Sequence, residues 1–400
     1  MKICEDDKCT SCLACYSVCP VNAIAIVTNQ KGFYRPQIDE NKCIKCNKCK
    51  IVCLSNSKLL NEKFEQKVFA CWSNNNEVRR DSTSGGVFTH MAEFVLNNNG
   101  TVFGAAFNKN NEVVHCCIDN QKDLLRLRGS KYVQSYIGDA FKEVKLKLNK
   151  GIKVLFSGTP CQVFGLKKYL GKSYDNLYTI DLVCHGVPSP KIFKGYLKNL
   201  EIKYKSKAKK ILFRNKVPGW KVYGMKIEFE NGSIYMKDTF NDNYLLGFLQ
   251  NYFLNDACYK CKFANTNRQS DITIADFWGY KEESLKMVDD DKGISLLIIN
   301  SSTGLELYNN IKSELISAEK TLSEAVNGNP CLSYSFPKNE KYDEFWIDYK
   351  QNNIDELSQK YFVPKDNKSA KEIRAVLVSL LSPRQRYIIR KIIKYFKSIN

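Results

Sequence analysis

The chain has 400 residues, with 61 Lys or Arg against 42 Asp or Glu and a formal net charge of +19. Its 44% hydrophobic content is ordinary and no apolar run reaches about eighteen residues, which predicts two or three globular domains and no membrane span. Seventeen cysteines on a large, lysine-rich chain without an apolar leader argue against a disulfide-rich secreted protein and predict metal in a reducing, cytoplasmic setting.

The first metal signal comes at once. Cys9, Cys12, Cys15 and Cys19 read C-x2-C-x2-C-x3-C, followed by Pro20, and Cys43, Cys46, Cys49 and Cys53 repeat the pattern 34 positions later. This is the spacing of bacterial two-cluster ferredoxins, in which the fourth cysteine of each run ligates the other cluster. The expected sets are Cys9, Cys12, Cys15 and Cys53 for one 4Fe-4S cluster, and Cys43, Cys46, Cys49 and Cys19 for the second. Zinc would ask for four thiolates in two pairs rather than two overlapping runs of four. Leu54 stands where a second proline is expected, and Cys4 lies outside the pattern as a plain thiol. Bound clusters would each add about −2, which still leaves a basic protein suited to acidic partners. Nucleic acid is not favoured, because no zinc-finger, RRM or helix-turn-helix pattern is present.

Residues 58–66 read as a linker and 68–72 as a strand. Ser82-Thr83-Ser84-Gly85-Gly86 is a small-residue loop opening a helix over 87–96. Such a loop can hold phosphate through backbone N–H groups, or can simply cap and pack the helix. Residues 101–107 and 113–118 read as paired strands, Arg128 to Val133 as a polar turn and 139–148 as a helix. A strand over 153–156 then runs into Ser157-Gly158-Thr159-Pro160-Cys161, a helix follows, and the strand 178–183 ends in Cys184-His185-Gly186. Strand, helix, strand predicts parallel pairing with ligands beyond the carboxyl ends of the strands, where Cys161 and Cys184 fall. Nothing adjacent pairs with Cys161 as a nucleophile requires. A hairpin is expected to turn at Asn231-Gly232. Cys258-Tyr259-Lys260-Cys261 is a C-x2-C pair, readable as half a metal site or as a redox pair. Its place after a helix-like segment disfavours the thioredoxin arrangement. Residues 270–276 and 293–300 read as strands, the latter as the last, and 305–315 as a helix.

Six motifs in order, Ser82 to Gly86, Arg128 to Tyr132, Ser157 to Gln162, Asp181 to Gly186, Cys258 to Cys261 and Ala275-Asp276-Phe277-Trp278-Gly279, together resemble the coenzyme F420 hydrogenase/dehydrogenase beta-subunit family over about residues 1–340. The resemblance implies an α+β protein. A two-cluster ferredoxin domain (1–60) precedes an α/β flavin-binding catalytic domain with a mixed sheet (67–340), and a basic helical extension follows (341–400). It implies FAD, which converts single-electron traffic into hydride chemistry. Ser84, Gly85, Gly86, Lys131, Ser157, Gly158 and Thr159 are the candidates to hold it, with an ordinary surface role the other reading of Lys131. It further implies a third cluster, for which Cys161, Cys184, Cys258 and Cys261 are the natural ligands. A zinc Cys4 site would use the same four thiolates. Cys71, Cys116, Cys117 and Cys331 read as buried thiols, with Cys71 or Cys331 able to replace one of the four. His185 and Asp276 are the candidate proton donors, against a structural hydrogen-bonding role for each.

In residues 365–400, ten Lys or Arg face one Asp and one Glu, and Ile388, Ile389, Ile392, Ile393, Phe396 and Ile399 share a helical face. Such a helix suits either an anionic membrane, making the protein membrane-peripheral, or its own domain. The expected function is an iron–sulfur flavoenzyme passing electrons to a small acceptor, with a sugar-linked one from polysaccharide pathways the specific expectation. The alternative is an electron-transfer subunit serving a partner enzyme. A binding protein keeping metal for structure alone is the third reading. The expected partners are an acidic redox carrier such as ferredoxin or a partner enzyme.

Overall fold

A computed structural model describes residues 2–60, 64–282 and 287–362; the basic segment 365–400 lies outside the described residues. The fold is mixed α+β, with a small iron–sulfur unit set against a large mixed sheet.

In the first unit, α1 (Ala14–Val18) and α2 (Lys48–Ile51) flank the antiparallel pair β1 (Ile24–Thr28) and β2 (Tyr34–Ile38). The 34-residue repeat is visible in the backbone itself. Ser11 and Leu13 have φ of 58° and 58°, and their repeat mates Lys45 and Asn47 have 55° and 58°. A left-handed conformation costs an L-residue roughly 1–2 kcal/mol, so four such residues at matched positions mark loops wound tightly for a purpose.

The body begins with β3 (Lys67–Ser73), α3 (Asn76–Arg80) and α4 (Val87–Asn97), followed by β4 (Thr101–Phe107) and β5 (Val113–Ile118). Then come α5 (Leu124–Leu127), α6 (Ala140–Asn149), β6 (Val154–Gly158), α7 (Pro160–Leu170), β7 (Leu177–Leu182) and α8 (Pro190–Tyr204). A three-stranded antiparallel sheet follows from β8 (Ala208–Asn215), β9 (Gly224–Phe229) and β10 (Ile234–Asp238), with the predicted turn at Asn231-Gly232. The chain continues through α9 (Asn243–Leu249), β11 (Ile272–Asp276), β12 (Ser295–Ile299), α10 (Ser302–Ile311), β13 (Leu315–Lys320), α11 (Leu322–Gly328), α12 (Tyr342–Asp348) and α13 (Ile354–Tyr361).

The large sheet has the order β13-β3-β12-β11-β7-β6-β4-β5. Its centre is parallel (β11, β7, β6, β4), and antiparallel strands complete both sides. β13 corrects the expectation that 305–315 is one helix and 293–300 the last strand. Leu307, Ile311 and Leu315 keep a helical spacing, yet the helix stops at Ile311 and Leu315 opens an edge strand against Ser73.

One face of the sheet packs α4 and α10. On the other, α6 and α7 share a single apolar cluster with Ile3, Leu13, Ala14, Val52 and Leu54, so the iron–sulfur unit and the sheet bury one common core. Residues 342–362 do not stand apart: Tyr342, Phe345, Ile354, Leu357, Tyr361 and Phe362 pack into the same core as α8, α9 and the small sheet.

Candidate metal centres

The eight spaced cysteines form two groups. Cys19, Cys43, Cys46 and Cys49 line one cavity, at whose mouth Cys46 is exposed. Cys9, Cys12, Cys15 and Cys53 line a second. Cys4 lines that second cavity too, so it is no remote thiol: it hydrogen-bonds with Cys53 and Cys9, which raises its own pKa and lowers theirs. Burial pushes the Cys12 thiol up to about 12.

A third group gathers from distant parts of the chain. Cys161 sits in the first turn of α7, Cys184 two residues beyond β7, and Cys258 and Cys261 at a 3-10 turn. Burial raises Cys161 and Cys258 well above the ordinary thiol range, takes Cys184 to about 12 and raises Cys261, and neighbouring thiols add to each of the first three. Four enclosed thiols that repel one another's charge are poor thiolates unless a bound cation supplies the compensation. This donor set therefore fits a soft metal centre. Cys331 lies close enough to raise Cys184 electrostatically, while Cys71 faces the Ser295 carbonyl within the sheet. Cys116 and Cys117 are half-buried on β5 rather than buried.

The second and third groups nearly touch. Gly165 lies one turn after Cys161 on α7, and a Cβ there would meet Cys12 Cβ at 3.0 Å and Cys12 Sγ at 3.2 Å. The first turn of α7 is fixed by a capping box in which Thr159 and Gln162 exchange bonds, and Gln162 Nε2 also donates to Ser135 Oγ at 2.9 Å. Ser135 Oγ meets His115 Nδ1 at 2.9 Å, and His115 Nε2 meets the Ser157 carbonyl at 3.1 Å. Buried polar residues thus hold the strand-to-helix turn in register.

Arg268 braces the third group and gave no signal in sequence. It is 2% exposed and pairs with fully buried Asp181 at 2.9 Å. It donates to the Leu182 carbonyl (2.9 Å), just before Cys184, and to the Phe263 carbonyl (3.0 Å), just after Cys261. The iron–sulfur unit is clamped by Arg35, which donates to Ser11 Oγ (2.7 Å), the Asp6 carbonyl (3.2 Å) and Asn255 Oδ1 (3.1 Å). Arg35→Ala is expected to lower stability by about 1–3 kcal/mol, since buried acceptors lose their donor. Urea unfolding followed by cluster absorbance measures this, and Arg35→Lys is expected to recover only part.

The other candidates fall along the carboxyl ends of the parallel strands. Asp276 ends β11 and is held by Arg214 (2.6 and 3.2 Å) and Trp220 Nε1 (2.5 Å). His185 Nε2 meets Asn251 Oδ1 at 2.8 Å between the rings of Phe248 and Phe336, and burial lowers its pKa. Ser84 Oγ donates to the Ile294 carbonyl and the Gly85 N–H to Ser295 Oγ, both 2.9 Å. A Cβ on Gly85 would lie 2.5 Å from the Cys71 carbonyl, so packing on β3 already requires that glycine. Ser157 Oγ donates to the Phe103 carbonyl at 3.1 Å, with Gly158 beside it. Lys131 Nζ donates to the Arg126 and Arg128 carbonyls at 2.9 and 2.8 Å. Lys216, also missed in sequence, donates to the carbonyls of Arg79, Ser84 and Lys292.

Burial lowers both lysines to about 7, with Cys116 alone working against it for Lys131. A lysine whose folded pKa lies below its unfolded one leaves the unfolded chain with more protons between about 7 and 10.5, so stability rises as pH rises through that window. The gain in unfolding midpoint from pH 7 to 10 is expected to be smaller in Lys131→Met than in the parent chain.

Thiols grouped in three sets, two of them in a repeat-built unit docked on a parallel-centred sheet, define an iron–sulfur electron-transfer protein. Residues 8–57 match the family model of a 4Fe-4S dicluster domain. Residues 68–142 and 151–324 match the models for the coenzyme F420 hydrogenase/dehydrogenase beta subunit, N-term and C terminus respectively. The chain belongs to the coenzyme F420 hydrogenase/dehydrogenase beta-subunit family, with a dicluster domain at its front.

It is 26% identical over 326 residues to the coenzyme F420-dependent sulfite reductase of Methanocaldococcus jannaschii, a match covering 78% of this chain and 47% of that protein. It is 25% identical over 175 residues to a subunit of the F420H2 dehydrogenase of Methanosarcina mazei, covering 40% of this chain and 48% of that one. The chain thus spans about half the length of the curated relatives it matches. A chain in the F420-reducing NiFe hydrogenase complex from Methanosarcina barkeri aligns at 17% identity with a TM-score of 0.45, over 75% of this chain and 93% of that one. The relatives are oxidoreductases, and no helix among the described residues is long and apolar enough to cross a membrane.

Proposed function

We propose that this chain is an iron–sulfur electron-transfer subunit, moving single electrons between a redox protein at the 1–60 unit and an acceptor at the strand ends of the 67–340 body. The observation that carries this reading is the approach of two thiol groups: buried Cys12 of the 1–60 unit lies against Gly165, one turn after Cys161 on α7. Clusters bound there would carry electrons one at a time. Among the described residues no three His, Cys, Asp or Glu side chains are placed to hold a single metal ion.

A flavin at the strand ends is the second component of the proposal. Local polarity supports it: beside the Ser84–Gly86 loop Arg128 donates to Ser82 Oγ, its buried Nε has no hydrogen-bond partner among the described residues, and Lys216 Nζ donates to the Ser84 carbonyl. Those residues would hold an anionic cofactor, and such a group would supply the change from one-electron to two-electron chemistry. The relatives' names make a deazaflavin carrier the first acceptor to test. Neither the fold nor the relatives favour a sugar-linked acceptor, and the proposal drops it. His185 and Asp276 are assigned positioning roles, because each is already held by a protein partner.

The test is iron, zinc, sulfide and flavin content after anaerobic purification. About twelve irons with one flavin is the expected result, by the stoichiometry of three cubanes. About eight irons with one zinc overturns the third cluster, and iron without flavin leaves a pure electron carrier.

A further inference from the structure

The three thiol groups differ in how they meet solvent. Cys9, Cys12 and Cys15 are buried, and the inner four are half-buried within the body. Only at the outer group, among the described residues, is a spaced cysteine exposed: Cys46, with half-buried Cys43 beside it. Around it the same segment displays Ile44, 61% exposed, and Ile51, 67% exposed. Such apolar exposure on neighbouring turns is not needed for the fold, since Val52 and Leu54 already carry this segment's share of the core. Lys42, Lys45 and Lys48 are exposed on the rim and Lys50 is half-buried. Asp39 and Glu40 oppose them in part: Asp39 Oδ2 lies 3.3 Å from Lys42 Nζ, and Lys45 acts on Glu40 electrostatically. Lys48 and Lys50 form no ion pair among the described residues.

We propose that the face formed by Cys46, Ile44, Ile51, Lys45, Lys48 and Lys50 is the docking surface for a small acidic one-electron carrier protein. The inference rests on the electron-transfer reading above. Exposed apolar side chains interspersed with cations on one short segment, with Ile44, Cys46 and Lys48 lining one cavity, suit a weak, fast complex: apolar burial is modest, and the cations speed encounter with an opposite charge and set orientation. A polyanion without a redox centre would gain nothing from an exposed cluster cysteine on this segment, which is why a carrier protein is favoured over nucleic acid or lipid. The transfer moves one electron across the contact. The carrier is oxidised by one, this chain is reduced by one, and no bond or proton changes place; the reverse direction uses the same face.

The test is anaerobic stopped-flow reduction of the full, cluster-loaded chain by two donors: a reduced acidic plant-type ferredoxin and reduced methyl viologen, which needs no docking site. The variants are Lys45→Glu with Lys48→Glu, the milder Lys45→Gln with Lys48→Gln, and Ile44→Ala. Lys194→Glu with Lys198→Glu, exposed on α8, makes the same charge change elsewhere. All are compared at iron contents equal to the parent chain. The expected result is an about ten-fold or larger loss of second-order rate with ferredoxin at low salt and a flatter salt dependence for the Glu pair. The Gln pair is expected to fall between, with the rate of the cationic methyl viologen lowered in none. An unchanged ferredoxin rate, or an equal loss in the α8 pair, overturns the docking surface while leaving the electron-transfer reading intact. A parent chain that methyl viologen cannot reduce overturns that reading and the docking surface with it.

Discussion

With the third cluster proposed above, Cys258→Ser is expected to lower bound iron from about twelve to about eight per chain, because that centre loses one of its four proposed ligands. The two clusters of the 1–60 unit are expected to remain and to accept electrons, since their eight cysteines lie in a separate pair of loops. Colorimetric iron and low-temperature EPR of the reduced protein measure both outcomes. Cys331→Ser is the discriminating companion. Cys331 lies near the inner thiols but on the turn after α11, and its replacement is expected to leave iron unchanged. Iron loss in Cys331→Ser with retention in Cys258→Ser would reassign the fourth ligand.

Arg268→Met is expected to be the most destabilising single substitution of a charged residue in the body. It removes the charged partner of fully buried Asp181, leaving the carboxylate only the Thr273 Oγ1 bond at Oδ1 (2.6 Å), since Oδ2 has no hydrogen-bond partner among the described residues. Breaking a buried pair from one side costs about 3–5 kcal/mol, and the double variant Asp181→Asn with Arg268→Met is expected to recover much of it. The loss does not stop at stability. The Leu182 and Phe263 carbonyls lose their donor together, so the segments bearing Cys184 and Cys261 lose their common brace. A lower urea midpoint and partial loss of inner iron at native conditions are the paired readouts. An unchanged iron content with a lowered midpoint would limit Arg268 to the fold.

These two experiments fall on the part of the site that sequence spacing could not reach. The outer eight cysteines were legible because a cluster wrapped by one short loop imposes ligand spacing on contiguous residues, and the repeat at 34 positions doubles the signal. The inner four come from α7, the end of β7 and a 3-10 turn, so no local rule relates them. Only the order of six motifs suggested that they belong together. Arg268 stands in the polar run Asn265-Thr266-Asn267-Arg268-Gln269-Ser270 and reads as surface; its burial depends on Asp181, a distant partner on β7. Strand β13 was hidden for the opposite reason. Its first residue continued the apolar spacing of the helix before it, and only pairing with β3 decides for strand.

The shared core beneath Cys12 has a consequence for how turnover is limited. Gly32 lies so close to Lys191 of α8 that a Cβ would come within 2.3 Å of the lysine Cβ, and Arg35 ties the same hairpin to Asn255. A head seated in this way is a soldered joint rather than a swinging arm. Turnover should then be indifferent to solvent viscosity within the chain and sensitive to it only where the outside carrier arrives and leaves.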